Sequence, residues 1–181
     1  PATKTSRRSD GYYWPASPPR RRAESRTGKR SVSAISGGNT TEVLQRIVTC
    51  FRRERVAYVL IGAWALSVWG KTRATNDVDF LVLVSGEDLD RLSKRAIRMG
   101  FELDETWLKW NPLLRGIQLR FQLKGIAVDL LRPRDAHDQQ VFQRKRRRRM
   151  DGRFYWLVSR EDFIIQKLKV GRPRDFEDAL S

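Results

Sequence analysis

The chain has 181 residues, 40% of them apolar, which is enough for one domain of ordinary size with a real core. Its 37 Lys and Arg outnumber 21 Asp and Glu, for a formal net charge of +16, which favours a polyanionic partner such as nucleic acid or nucleotide phosphate. The single Cys50 excludes an internal disulfide framework, and neither a bilayer-length apolar run nor a signal-peptide core is visible, so a soluble cytoplasmic protein with no membrane contact is expected.

Residues 1–39 are rich in Pro, Ser, Gly and Arg and lack periodicity, so they read as a disordered basic extension. The absent initiator Met favours a plain disordered extension, or sequence upstream of the true start, over a nucleic-acid-binding arm. The expected domain is 40–181. Thr40 and Thr41 offer N-caps to a helix through Val43, Leu44, Ile47, Val48 and Phe51. The apolar run 57–61 predicts a strand that stops at Gly62. Trp64, Leu66, Val68 and Trp69 then suit a short buried helix ended by Gly70, with both tryptophans in the core.

After a basic loop, Asp77-Val78-Asp79 opens a second apolar strand, and Ser85 caps an amphipathic helix closed by Gly100. The stretch 101–110 gives only a weak strand and an irregular turn before Asn111-Pro112. Ile117, Leu119 and Phe121 alternate with Gln118, Arg120 and Gln122 in the pattern of a half-buried strand. Lys124-Gly125 predicts a hairpin turn, and 126–131 the return strand carrying Asp129. The region 132–149, with its arginine run and a solvated His137, reads as a polar connection. A strand over 154–158 follows. Ser159 and Asp162 open a helix that Gly171 and Pro173 end, and a last helix is cut short, the pattern of a chain continuing beyond both ends.

Alternate residues of a strand share a face, so Asp77 and Asp79 point one way, roughly 6–7 Å apart. Two such charges repel unless something positive lies between them, and a divalent metal is the natural answer. Asp129, inside an apolar strand, is costly unless paired or metal-bound, which makes it a third acidic candidate. Mg²⁺ takes one or two carboxylates plus substrate phosphates, and two ions roughly 3.5–4 Å apart can clamp an in-line phosphoryl displacement. The Gly62-Ala63 turn gives a phosphate access to backbone N–H groups at a helix start.

In this order the residues resemble the DNA polymerase β-like nucleotidyltransferase superfamily: apolar strand, Gly62-Ala63, short helix, Asp77-x-Asp79, then a later Asp129. More narrowly, 60–82 looks like the small nucleotidyltransferases that include AbiEii-type toxins, and Lys167, Arg172, Asp175 and Asp178 resemble their C-terminal motif. The resemblance implies an α/β (α+β) fold, a mixed sheet flanked by helices. It also implies transfer of a nucleoside monophosphate from an NTP to a hydroxyl on an RNA 3′ end, a protein or a small molecule. Asp77, Asp79 and Asp129 would hold two Mg²⁺ ions, Lys167 and Arg172 would touch the triphosphate, and Asp175 would orient them. The implied partners are the NTP, tRNA or other RNA, and a cognate antitoxin. One departure stands out: Ala63 replaces the usual second Gly or Ser, so a hydroxyl contact to phosphate is lost while the backbone donor stays.

Plainer readings stand beside these. Asp77 and Asp79 could cap a strand entry beside Arg73, Asp129 could pair with a core arginine, and Lys167, Arg172 and Asp175 could form surface ion pairs. A non-catalytic protein binding nucleic acid or a partner on the same fold is the alternative function.

Overall fold

The computed structural model describes residues 38–69, 75–114 and 116–180. Its helices are α1 (Gly38–Arg53), α2 (Gly62–Trp69), α3 (Gly86–Arg98), α4 (Glu105–Trp110), α5 (Ala136–Arg144), α6 (Arg160–Val170) and α7 (Pro173–Ala179). Its strands are β1 (Ala57–Ile61), β2 (Asp77–Leu83), β3 (Glu102–Leu103), β4 (Gln118–Leu123), β5 (Ile126–Leu131), β6 (Arg146–Met150) and β7 (Arg153–Leu157). Among the described residues these strands form one sheet in the order β3-β4-β5-β2-β1-β7-β6. The pairs β2–β5 and β1–β7 are parallel and the others antiparallel, so the sheet is mixed, as expected.

Each central strand divides its side chains between two layers, because neighbours point to opposite faces. Tyr58, Leu60, Val78, Phe80, Val82, Val128 and Leu130 meet α1 and α3 through Val43, Leu44, Ile47, Phe51, Leu92 and Ala96. At the centre of this layer Phe51 lies 5.0 Å from Phe80 and 5.2 Å from Tyr58, ring centre to ring centre. Truncating either buried phenylalanine to alanine costs about 3–5 kcal/mol. On the opposite face Val59, Ile61, Leu81 and Leu131 pack against Ala65 and Leu66 of α2, Val141 and Phe142 of α5 and Phe163 of α6. No helix among the described residues is long and apolar enough to cross a membrane.

Several local expectations need correction. α1 starts two residues before Thr40, and Thr41 donates its hydroxyl to Asp151 (2.9 Å) instead of capping the helix. The weak strand after Phe101 is present as β3, but a helix, α4, replaces the irregular turn, because Asp104 caps it by accepting from the Trp107 N–H (2.9 Å). The polar connection 132–149 is also structured. Asp135 caps α5, and the arginine run forms β6, whose charged side chains suit a sheet edge. The hairpin turn is as expected, with Lys124 and Gly125 both at positive φ, 52° and 75°. Residues 1–37, Gly70 and most of the basic loop with Arg73 lie outside the described residues.

Candidate active site

Register assembles the site. In the parallel β2–β5 pair Asp79 is the partner of Asp129, and Asp77 of Ala127. Paired residues share a face, and the two-residue period puts Asp77 there as well. Val78, Phe80, Val128 and Leu130 take the α1/α3 face, so the three carboxylates converge on the other one. Asp77 and Asp79 thus point one way, as their spacing predicts, and Asp129 joins them from the neighbouring strand.

Clustered negative charge shows in the proton affinities. Burial pushes the Asp79 carboxyl well above the ordinary range, and the charges of Asp129 and Asp77 raise it further, with Arg120 and Lys167 opposing. Asp129 is also raised, by burial first, although its bonds to Arg120 pull the other way. Asp77 accepts from the Thr75 hydroxyl.

Gly62 is the close neighbour of this cluster. It has φ +66°, and a side-chain carbon placed there would lie 2.9 Å from Cγ of Asp79 and collide with its carboxylate oxygen. Glycine therefore lets the start of α2 and the carboxylate share one small space. Ala63 follows as the second residue of α2 and is buried.

The residue that sequence reasoning missed is Arg120. From β4 it faces Asp129 across the antiparallel ladder, donating Nε to Oδ1 at 2.8 Å and Nη2 to Oδ2 at 2.5 Å. Its guanidinium carbon also lies 4.8 Å from the centre of the Trp107 ring. Burial alone would weaken the guanidinium's hold on its proton, but Asp129, Asp79 and Asp77 outweigh that and raise its pKa. Gln118, buried on the same strand, bonds to Asp129 too. The polar side of β4 is therefore part of the site and not a solvated face.

The C-terminal group forms a second knot. Lys167 of α6 donates to Asp175 Oδ1 (3.0 Å) and Asp178 Oδ2 (2.8 Å), both on α7. Arg172 donates Nε to Asp175 Oδ2 at 2.6 Å. Burial pushes Asp175 up, and the bonds to Arg172 and Lys167 more than offset it, leaving its pKa lowered. Lys167 is buried, yet its charge reaches Asp79 and favours the ionised form. The Lys167 contacts are buried ties between α6 and α7, whereas the Arg172–Asp175 pair is local to the start of α7, with Arg172 half exposed.

His137 is not solvated. Its Nε2 lies 3.0 Å from Asp162 Oδ1 and its Nδ1 3.0 Å from Lys169 Nζ, which fits a ring donating from Nε2 and accepting at Nδ1. With Asp135 and Asp138 it forms a group whose donor atoms lie within 4.8 Å of one another, the spacing of a cation site. The Lys169 ammonium already serves as the cation, 2.7 Å from Asp135 Oδ2 and 3.7 Å from Asp138 Oδ1. Among the described residues, Arg120 is the cation bonded to the β2–β5 carboxylates, through Asp129.

No family model and no curated protein matches the sequence. Solved structures match in shape. The antibiotic-resistance factor ANT(2'')-Ia aligns over 78% of this chain and 82% of its own, at 16% identity and TM-score 0.55. The lincomycin-bound lincosamide antibiotic adenylyltransferase LnuA aligns over 82% and 96%, at 12% identity and TM-score 0.54. The chain has the nucleotidyltransferase fold. An antigenic nucleotidyltransferase-like protein from Paracoccidioides brasiliensis shares it, over 81% of this chain and 76% of its own, at 15% identity and TM-score 0.54. Within the nucleotidyltransferase fold of this chain, the face carrying Asp77, Asp79 and Asp129 is where Gly62 approaches most closely.

Proposed function

We propose that this chain is a nucleotidyltransferase that moves a nucleoside monophosphate from an NTP to a hydroxyl acceptor and releases pyrophosphate. The observation that carries the reading is the in-register pair Asp79–Asp129, with Asp77 on the same face and Gly62 against Asp79. A surface built only to bind phosphate gains nothing from three clustered carboxylates, two of them with raised pKa values. The donor set is all oxygen, and its mutual repulsion calls for added positive charge, so it fits Mg²⁺. When bound there, Mg²⁺ supplies charge to the phosphates and to the attacking oxygen.

In this reading Asp77 and Asp79 are the principal metal ligands, and Asp129 is a third, held in place by Arg120 and Gln118. Backbone N–H groups of Gly62 and Ala63 at the start of α2 face the phosphates. Lys167 and Arg172 bring cations to the same substrate, and Asp175 fixes both side chains in position. The acceptor classes are an RNA 3′ end, a protein hydroxyl and a small molecule; the antibiotic acceptors named for two structural neighbours belong to the last. A toxin's role opposite an antitoxin, in the cytoplasm, is the biological setting we attach to the RNA and protein acceptors.

One observation favours the non-catalytic alternative: both Asp129 oxygens already accept from Arg120. Incubation with each labelled NTP, Mg²⁺ and, in turn, total RNA, protein extract or an aminoglycoside decides between the two. Label transfer that requires Mg²⁺ is expected. Absence of transfer and of pyrophosphate release with every acceptor would leave the binding reading.

A further inference from the structure

The β6–β7 hairpin takes no part in the site above, yet it holds the densest charge among the described residues. Arg146, Arg147, Arg148 and Arg149 are consecutive and all exposed on β6, the last strand of the sheet. Edge strands often carry charge to prevent pairing with another chain, and that purpose explains the arginines alone. It does not explain what shares their surface. Arg147 pairs with Trp156 and Arg149 with Phe154, so these four side chains lie on one face of the hairpin. Phe154 is 46% exposed and Trp156 39%.

The cations are stacked on the rings instead of extending away from them. The Arg147 guanidinium lies 4.0 Å from the centre of Phe154, and the Lys145 ammonium 5.1 Å from that of Trp156. Arg52 of α1 adds a further cation, donating to the Phe154 carbonyl at 3.3 Å. Arg52, Ala57, Lys145, Arg147, Phe154 and Trp156 line a cleft of about 370 Å³, in the range of small-ligand sites.

We propose that this hairpin face binds single-stranded nucleic acid, with backbone phosphates on Arg147, Arg149 and Arg52 and bases stacked on Phe154 and Trp156. Alternating cations and aromatic rings on an open strand face match both halves of such a ligand, whose bases are unpaired and free to stack. A duplex offers phosphates but no open base faces, and an acidic protein segment offers charge without planar rings. The face is also correctly turned. Leu157 packs in the α1/α3 layer, so Trp156 and Phe154 point to the side that carries Asp79. The cleft opens beside Ala57, four residues or about 13 Å along β1 from Ile61, the partner of Asp79. The inference stands on the hairpin and does not require the transfer reading.

The test uses the full chain and fluorescence anisotropy with a labelled oligouridine of about twelve nucleotides. An RNA duplex of equal length and a poly-glutamate peptide serve as competitors, in a salt series and without NTP or metal. Tighter binding to the single strand than to the duplex is expected. Phe154→Ala should weaken it about fivefold or more, the lower end of base–aromatic stacking, with the salt dependence unchanged. Arg149→Ala should instead lower the slope of log affinity against log salt by about 0.7, one phosphate contact. Phe154→Tyr should restore binding and serves as the check that the hairpin stays folded, alongside thermal melting of each variant. Equal binding of the duplex, competition by poly-glutamate as effective as by RNA, or affinity indifferent to Phe154 would each overturn the proposal, leaving the arginines as an edge guard. Because no nucleotide is present, none of these outcomes bears on catalysis.

Discussion

Arg120 closes a two-pronged bond on Asp129, 2.8 and 2.5 Å, and so neutralises one of the three carboxylates that β2 and β5 place on one sheet face. A lone ionised carboxylate buried in an apolar strand is unaffordable in most folds, and here the strand next door supplies the counter-charge.

The first prediction tests that dependence. Arg120→Ala strands Asp129 as a buried charge and should lower stability by about 3 kcal/mol or more in the absence of metal. Combining it with Asp129→Asn should recover most of the loss, since the stranded charge is gone. Urea unfolding of both single variants and the double variant gives the coupling. Additive losses would show that the bond contributes little.

The second prediction concerns transfer. Asp77→Asn keeps size and hydrogen bonding but removes a charge that would hold Mg²⁺. Label incorporation should fall about 100- to 1,000-fold, the range for losing one preorganised electrostatic group, while far-ultraviolet circular dichroism stays unchanged. Full incorporation by a folded variant excludes Asp77 as a ligand.

A third follows from the raised pKa of Asp79. The folded chain keeps a proton that the unfolded chain releases above about pH 4, so folding stability falls as pH rises from there to the folded value. Asp79→Asn removes that loss. Without divalent metal its Tm should match that of the parent near pH 4 and exceed it at neutral pH. Mg²⁺ should raise the Tm of the parent and not that of the variant. A variant less stable than the parent at neutral pH contradicts this.

The fourth prediction separates backbone from side chain. Gly62→Ala imposes a positive φ on a residue with a Cβ and drives that carbon into Asp79. A cost of about 1–3 kcal/mol is expected from the backbone alone. Pairing it with Asp79→Ala, which clears the space, should return only the part due to collision, as thermal or urea unfolding will read.

Much of the carboxylate cluster is legible in the sequence, because period two and apolar flanks fix which way Asp77 and Asp79 point. Arg120 was within reach as well. A two-residue turn at Lys124-Gly125 pairs residues whose numbers sum to 249, and 120 is then the partner of 129, as observed. The half-buried pattern puts Gln118, Arg120 and Gln122 on one face but does not by itself say that this face meets buried carboxylates. By contrast, α4, α5 and β6 carry too few apolar residues for periodicity to register. Their caps at Asp104 and Asp135 and the neighbouring β7 hold them instead. The tie between His137, Asp162 and Lys169 joins residues far apart in sequence and left no local trace.

The parallel joint between β1 and β7 has a bearing on how the chain reaches its native state. Leu60 and Leu157, partners in that joint, are almost a hundred positions apart, whereas β4–β5 closes through a two-residue turn. Local hairpins form early and distant pairings late, since a long loop must first give up its entropy. The segment that brings Lys167 and Arg172 should therefore dock onto a sheet where the carboxylates are already aligned. Repulsion among Asp77, Asp79 and Asp129 then gives the late-arriving cations something to settle against.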